Sequence, residues 1–181
     1  MIIPNVLRWL YPKLMNNIFL SIGSNLGDRK QSLHQSVSIL SSLDDTLIIL
    51  ESSIYETEPL HNTNQAYFFN KVIEIQTKLN PYELLEKVKS IETIMGRDLN
   101  NSHNSPRIID IDVLVFNDLI INSDKLILPH PRICERRFVL EPWSEIAPTY
   151  KIVNKKLTIK QLYNECLKNK INNQKVRLVN N

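Results

Sequence analysis

Hydrophobic and polar positions along this chain switch between a period of two and a period near 3.6, and each switch marks an element. Residues 18–22 are a short apolar run ending in Gly23-Ser24-Asn25-Leu26-Gly27-Asp28, a turn rich in flexible and capping residues. Asp28 followed by Gln31 has the spacing of a capping box, and Leu33, Val37 and Leu40 then recur at helical intervals. Residues 46–56 read as a second strand and 68–78 as a third. In the third, Ile73, Ile75 and Thr77 alternate with Glu74, Gln76 and Lys78, which predicts one packed face and one wet face. A second helix is punctuated at both ends. Asn80 caps it, Pro81 takes the first helical position, Glu83 completes a capping box and Gly96 follows the last turn. Leu84, Leu85, Val88, Ile91 and Met95 make its apolar stripe, and the polar stretch 98–105 is expected to be a mobile loop.

Residues 106–116 read as a strand with Asp110 and Asp112 on one face and Ile109, Ile111, Val113 and Val115 on the other. A short extended pair near Ile120 and Leu126, a helix after Pro131 and a capped helix from Thr158 follow. The order through residue 116 is β-α-β-β-α-β. It predicts an α+β fold with a ferredoxin-like core, two helices on one face of an antiparallel sheet, plus a C-terminal hairpin and helices. A chain of 181 residues suits one domain, expected over residues 17–170 with a polar tail at 171–181. Residues 1–16 lack the pattern of a signal peptide and read either as an N-terminal extension or as a mis-called start before Met15.

Composition narrows the function without naming it. With 43% hydrophobic and 23% charged residues the chain is an ordinary globular sequence. Its 22 basic and 19 acidic side chains give +3, a mild preference for anionic ligands that falls short of a nucleic-acid footprint. Cys134 and Cys166 lack motif spacing, so neither a disulfide scaffold nor a zinc site is indicated, and a cytoplasmic location is expected. No apolar stretch reaches membrane-spanning length.

The chemistry concentrates at 106–116. Two carboxylates two residues apart on a strand repel each other, and a hard divalent cation, Mg²⁺ above all, is the usual reason to place them so. Arg107, at the mouth of the same strand, offers a planar fork for a phosphate. Metal, phosphate and arginine together suggest phosphoryl-type transfer.

Several ordered segments resemble one known family, the 6-hydroxymethyl-7,8-dihydropterin pyrophosphokinases of folate biosynthesis. They are Leu20-Ser21-Ile22-Gly23-Ser24-Asn25-Leu26-Gly27, residues 55–60, Phe68-Phe69-Asn70, Ile91-Glu92 with Gly96-Arg97, Pro106-Arg107 with Asp110 and Asp112, and Leu128-Pro129-His130-Pro131-Arg132 with Glu135 to Leu140. The resemblance implies transfer of the β,γ-pyrophosphoryl unit of ATP to the hydroxymethyl oxygen of the reduced pterin, releasing AMP. It implies Arg97, Arg107, Asp110 and Asp112 as catalytic residues, with Asp110 and Asp112 holding two Mg²⁺ ions. It maps the pterin pocket onto Thr57, Pro59, Leu60, Phe68, Asn70 and Phe138, and the ATP side onto Lys89, Glu92, Arg107, Lys125, His130 and Arg136. It also leans towards a monomer whose partners are small molecules, with no nucleic acid and no membrane. Three positions depart from the family pattern: Asn104 where some members carry a tryptophan, Leu99 where some carry an arginine, and Glu58 in place of a common proline. His34, His61, His103, Cys134 and Cys166 read as structural or incidental.

Two other classes fit less well. A haloacid-dehalogenase-type phosphohydrolase also uses an Asp-x-Asp, but its apolar run comes before the first Asp, whereas here it continues after Asp112. A ferredoxin-like nucleic-acid-binding module without catalysis would want basic and stacking residues on the sheet, where paired Asp residues would repel phosphate. A pterin-binding protein that lost transfer differs only in assay.

Overall fold

The computed structural model describes residues 17–60, 63–97, 105–168 and 174–180. Residues 1–16, Leu99, Asn104, His61 and His103, with most of the loop expected at 98–105, lie outside the described residues. In chain order the elements are β1 (Ile18–Ser24), α1 (Arg29–Ser41), β2 (Thr46–Glu51), β3 (Tyr55–Thr57), β4 (Phe68–Thr77), α2 (Pro81–Ile94) and β5 (Asp110–Phe116). There follow the hairpin β6 (Ile121–Asn122) and β7 (Ile127–Leu128), a 3₁₀ turn (Ile133–Glu135), α3 (Arg137–Ile146), α4 (Ile159–Lys168) and β8 (Val176–Leu178). The main sheet runs β5-β1-β4-β3-β8 with β2 also on β4, and its pairings are antiparallel. The βαββαβ core is therefore the ferredoxin-like arrangement expected.

Local chemistry explains the helix starts. The Asp28 carboxylate accepts the Gln31 N–H at 3.0 Å to open α1. At α2 the Asn80 side chain accepts from Tyr82 and Glu83 while Glu83 reaches back to the Asn80 N–H at 2.8 Å, with Pro81 at the first position. Thr158 and Gln161 exchange the same pair of bonds ahead of α4. Gly96 closes α2 with φ +89°, a left-handed value that a side chain would resist.

Several expectations change. The strand expected at 46–56 is broken at Ser52, whose hydroxyl accepts the Val72 N–H at 3.0 Å in place of a ladder carbonyl. The face of β4 expected to be wet is covered: Glu74 is buried and Gln76 half-buried, while Lys71, on the opposite face, is buried beside Ile73 and Ile75. Helices α3 and α4 cover the second side, building a core of Phe19, Val72, Leu114, Val139, Trp143 and Ile159 opposite the one under α1 and α2. The layering is helix, sheet, helix, not helices on one face alone. The apolar row of β5 is likewise split by a register slip against β1, where Phe19 faces Val115 but Leu20 faces Val113. One unmatched residue reverses the alternation, so Ile109, Ile111 and Val113 join the first core while Leu114 and Val115 join the second. The expected polar tail also holds β8, which pairs with β3 at the sheet edge.

Candidate active site

The two covered faces leave one end of the sheet open. There the ends of β1 and β3, the start of β4, the front of β5 and the turn before α3 enclose a cavity of about 210 Å³. Close backbone approach shapes its floor. A Cβ added to Gly23 would stand 2.6 Å from the Asn70 Oδ1, so only glycine lets the Asn70 amide lie across β1. Asn70 is buried and its Nδ2 donates to the Thr57 hydroxyl at 2.7 Å. Asn25 joins the rims: its Oδ1 accepts the Arg107 N–H at 2.8 Å, and its Nδ2 donates to Gln65 Oε1 at 2.9 Å.

One half of the cavity is mainly apolar and aromatic. Phe68, Phe138, Pro59 and Leu60 line it, with Asn70 and Thr57 among its polar groups. The other half is ionic. Arg97 Nη1 donates to Asp110 Oδ1 at 2.6 Å, and Arg107 pairs with Asp110 at 3.2 Å. Arg136 Nη1 donates to Asp112 Oδ2 at 2.7 Å, with the His130 Nε2 4.0 Å away. Burial alone would raise the Asp112 pKa, but Arg136 and its neighbours outweigh it and hold the carboxyl below the usual range. Burial lowers the His130 imidazole against the pull of Asp112, so it is neutral at pH 7. The halves meet where Arg107 lies over the Phe68 ring and Arg136 over the Phe138 ring, each at 5.5 Å.

Behind the carboxylate pair stands Glu92, fully buried on α2. It accepts the Ile111 N–H, between the two aspartates, at 2.7 Å, takes Lys89 Nζ at 2.9 Å and is hydrogen-bonded by Arg97. Strand and helix are thus locked together at the point where the acids emerge.

The donor set suits magnesium. No group of three or more His, Cys, Asp or Glu gathers among the described residues, so they form no all-protein metal cage. Two adjacent carboxylates in a cavity rich in arginine are instead what Mg²⁺ needs when phosphate oxygens and water complete its shell. Around them Arg97, Arg107, Arg132, Arg136 and Lys89 outnumber Asp110, Asp112 and Glu92, a surplus that a polyphosphate would neutralise.

The profile of the family described as 7,8-dihydro-6-hydroxymethylpterin-pyrophosphokinase (HPPK) matches residues 19–148. The chain belongs to this family. A Bacillus subtilis protein named 2-amino-4-hydroxy-6-hydroxymethyldihydropteridine pyrophosphokinase is 46% identical over 133 residues, which is 73% of this chain and 79% of the relative. The Arabidopsis thaliana folate synthesis bifunctional protein is 40% identical over 140 residues, 77% of this chain but 29% of that protein. Plasmodium falciparum HPPK-DHPS aligns with a TM-score of 0.64 at 20% identity, over 83% of this chain and 44% of that one, a likeness of fold.

Most residues that the sequence nominated for an HPPK site gather in the cavity. Thr57, Pro59, Leu60, Phe68, Asn70, Lys89, Arg97, Arg107, Asp110, Asp112, His130, Arg136 and Phe138 all line it, and Glu92 stands behind it. Lys125 does not. It is exposed in the turn between β6 and β7 and takes no part in the lining. Ser21, Glu58, Gln65, Arg132 and Gln174 also line the cavity, though none was nominated. Ser21 could have been found as the polar break in the apolar run 18–22, and the structure sets it opposite Asp112 on the neighbouring strand. Gln174 left no signal, since its place depends on β8, whose Val176 pairs with Thr57 across 119 residues of sequence, a strand that no local pattern announced.

Proposed function

We propose that this HPPK-family chain transfers the β,γ-pyrophosphoryl unit of ATP to the hydroxymethyl oxygen of 6-hydroxymethyl-7,8-dihydropterin, giving AMP and the pterin diphosphate. The observation that carries the reading is a cavity apolar and aromatic in one half and ionic in the other, joined at Arg107 and Arg136. The pterin ring lies between Phe68 and Phe138, with Asn70, Thr57, Pro59 and Leu60 around its edge. The triphosphate lies over Arg97, Arg107, Arg136, Lys89 and His130.

Asp110 and Asp112 are the residues that would hold two Mg²⁺ ions. Such ions would supply charge neutralisation for the triphosphate and polarise it for attack. The chain's own contribution is alignment. Glu92 fixes the Ile111 peptide and with it the spacing of both carboxylates, while Arg97 and Arg107, already paired with Asp110, exchange that partner for phosphate oxygens. The pterin oxygen forms the new bond to the β-phosphorus as the bond from the β-phosphorus to the α,β-bridging oxygen breaks, that oxygen leaves with AMP, and the hydroxyl proton passes to solvent. The same reading makes the protein a cytoplasmic monomer whose partners are ATP and the pterin.

The test is AMP formation from ATP, Mg²⁺ and the pterin, with an Asp110→Ala, Asp112→Ala double variant alongside. Pterin-dependent AMP in the parent and none in the variant is the expected result. ADP or free phosphate as the product would refute the reaction.

A further inference from the structure

The loop from β3 to β4 contributes Glu58, Pro59, Leu60 and Gln65 to the cavity wall. Its stems are paired only as far as Thr57 and Phe68, where the ladder stops. One residue beyond, Glu58 and Tyr67 are no longer strand partners, yet the Tyr67 hydroxyl donates to Glu58 Oε1 at 2.8 Å and continues the closure through side chains. The same carboxylate holds a third segment. Its Oε2 accepts the Lys175 N–H at 3.0 Å and its Oε1 pairs with Lys175 Nζ at 3.1 Å. The main chain repeats the tie: the Glu58 N–H donates to the Lys175 carbonyl at 3.0 Å, and Gln174 Nε2 donates to the Glu58 carbonyl. Gln174 is itself a lining residue, and Arg137 Nη1 on α3 holds its carbonyl at 2.9 Å.

We propose, resting on the function above, that Glu58 is a positioning residue for the pterin, clamping both ends of the 58–67 loop to the segment that leads into β8. The family profile ends at residue 148, so this clamp uses a part of the chain outside the matched region. The physical argument is ordering. A wall held in place before the ring arrives binds it without first giving up loop freedom, and a released wall must be ordered at each binding event. The loss therefore falls on pterin affinity. Turnover of the bound complex and ATP affinity depend on Asp110, Asp112 and the arginines, which the clamp does not touch.

Glu58→Ala is expected to raise the pterin KM, and the Kd from pterin fluorescence titration, about tenfold, with kcat and the ATP KM within about twofold of the parent. Glu58→Gln keeps a carbonyl for the Lys175 N–H and an amide for the Tyr67 oxygen, so it recovers most of the affinity. Tyr67→Phe removes one bond at a residue outside the cavity lining, and is expected to weaken pterin binding roughly two- to threefold. It serves as the decisive variant should Glu58→Ala fail to fold. Pterin affinity unchanged in both variants overturns the clamp, as does a parallel loss of ATP affinity and kcat. A parent chain that makes no pterin-dependent AMP overturns the functional reading itself. A parent that turns over normally while Glu58→Ala and Tyr67→Phe bind pterin equally well overturns the clamp alone.

Discussion

Removing the Glu92 carboxylate is expected to be the most damaging single change near the site. The side chain is fully buried, so its partners cannot turn to water in place. Glu92→Ala orphans the Ile111 N–H, at about 1–3 kcal/mol for a buried donor. It also breaks a buried ionic contact, a class of change worth about 3–5 kcal/mol when one partner is left behind. The upper part of that range does not apply, because Arg97 keeps Asp110 at 2.6 Å and Lys89 is 45% exposed and can re-solvate. The two costs overlap, since both count groups left unpaired by the same deletion, so about 3–4 kcal/mol follows, or a fall in Tm of roughly 10 °C for a chain of this size. Glu92→Gln keeps an acceptor for Ile111 but presents an amide N–H to Arg97 or Lys89, and should cost about half as much. Urea unfolding of the three proteins at pH 7 and fixed ionic strength measures the difference. A cost for Glu92→Ala below about 1 kcal/mol would refute the claim that this carboxylate locks β5 to α2.

Gly23→Ala sets a Cβ 2.6 Å from Asn70 Oδ1 and must push the amide off its place, so pterin KM should rise at least about tenfold while ATP KM holds. Stability towards acid should depend on Glu56. Burial would raise its pKa, but Arg177 and Arg29 outweigh that and lower it. A lowered folded-state pKa gives stability present above about pH 4.3 and lost as pH falls through the folded value. Urea unfolding at pH 6 and pH 3 should therefore show a larger drop in the parent than in Glu56→Gln, and equal drops would count against the Arg29–Glu56–Arg177 network.

The helices and the carboxylate strand were legible because their signals are local. A capping box needs four residues, and an Asp-x-Asp on a strand needs three. What was hidden depends on partners distant in sequence. Glu74 looks like part of the wet face of an amphipathic strand until α3 and α4, beginning more than 60 residues later, cover it. The slip beside Leu114 is a property of pairing with β1, not of the β5 sequence alone. Glu92 reads as one more acid on a helix, and only the approach of Ile111 reveals what it holds. Lys125 shows the limit of motif order from the other side, since its place in the sequence did not put its side chain in the cavity lining.

The pairing of β8 with β3 has a consequence for how the molecule avoids its own kind. Without Val176–Leu178, the outer side of Tyr55–Thr57 would be a bare row of peptide groups, open to a strand from another copy. With it, the outermost strand is three residues long and carries Arg177, whose guanidinium is turned back onto Glu56. A short, charged border is a poor template for further strand addition. Shortened chains that end before residue 176 should accordingly associate with one another at concentrations where the full chain stays dispersed.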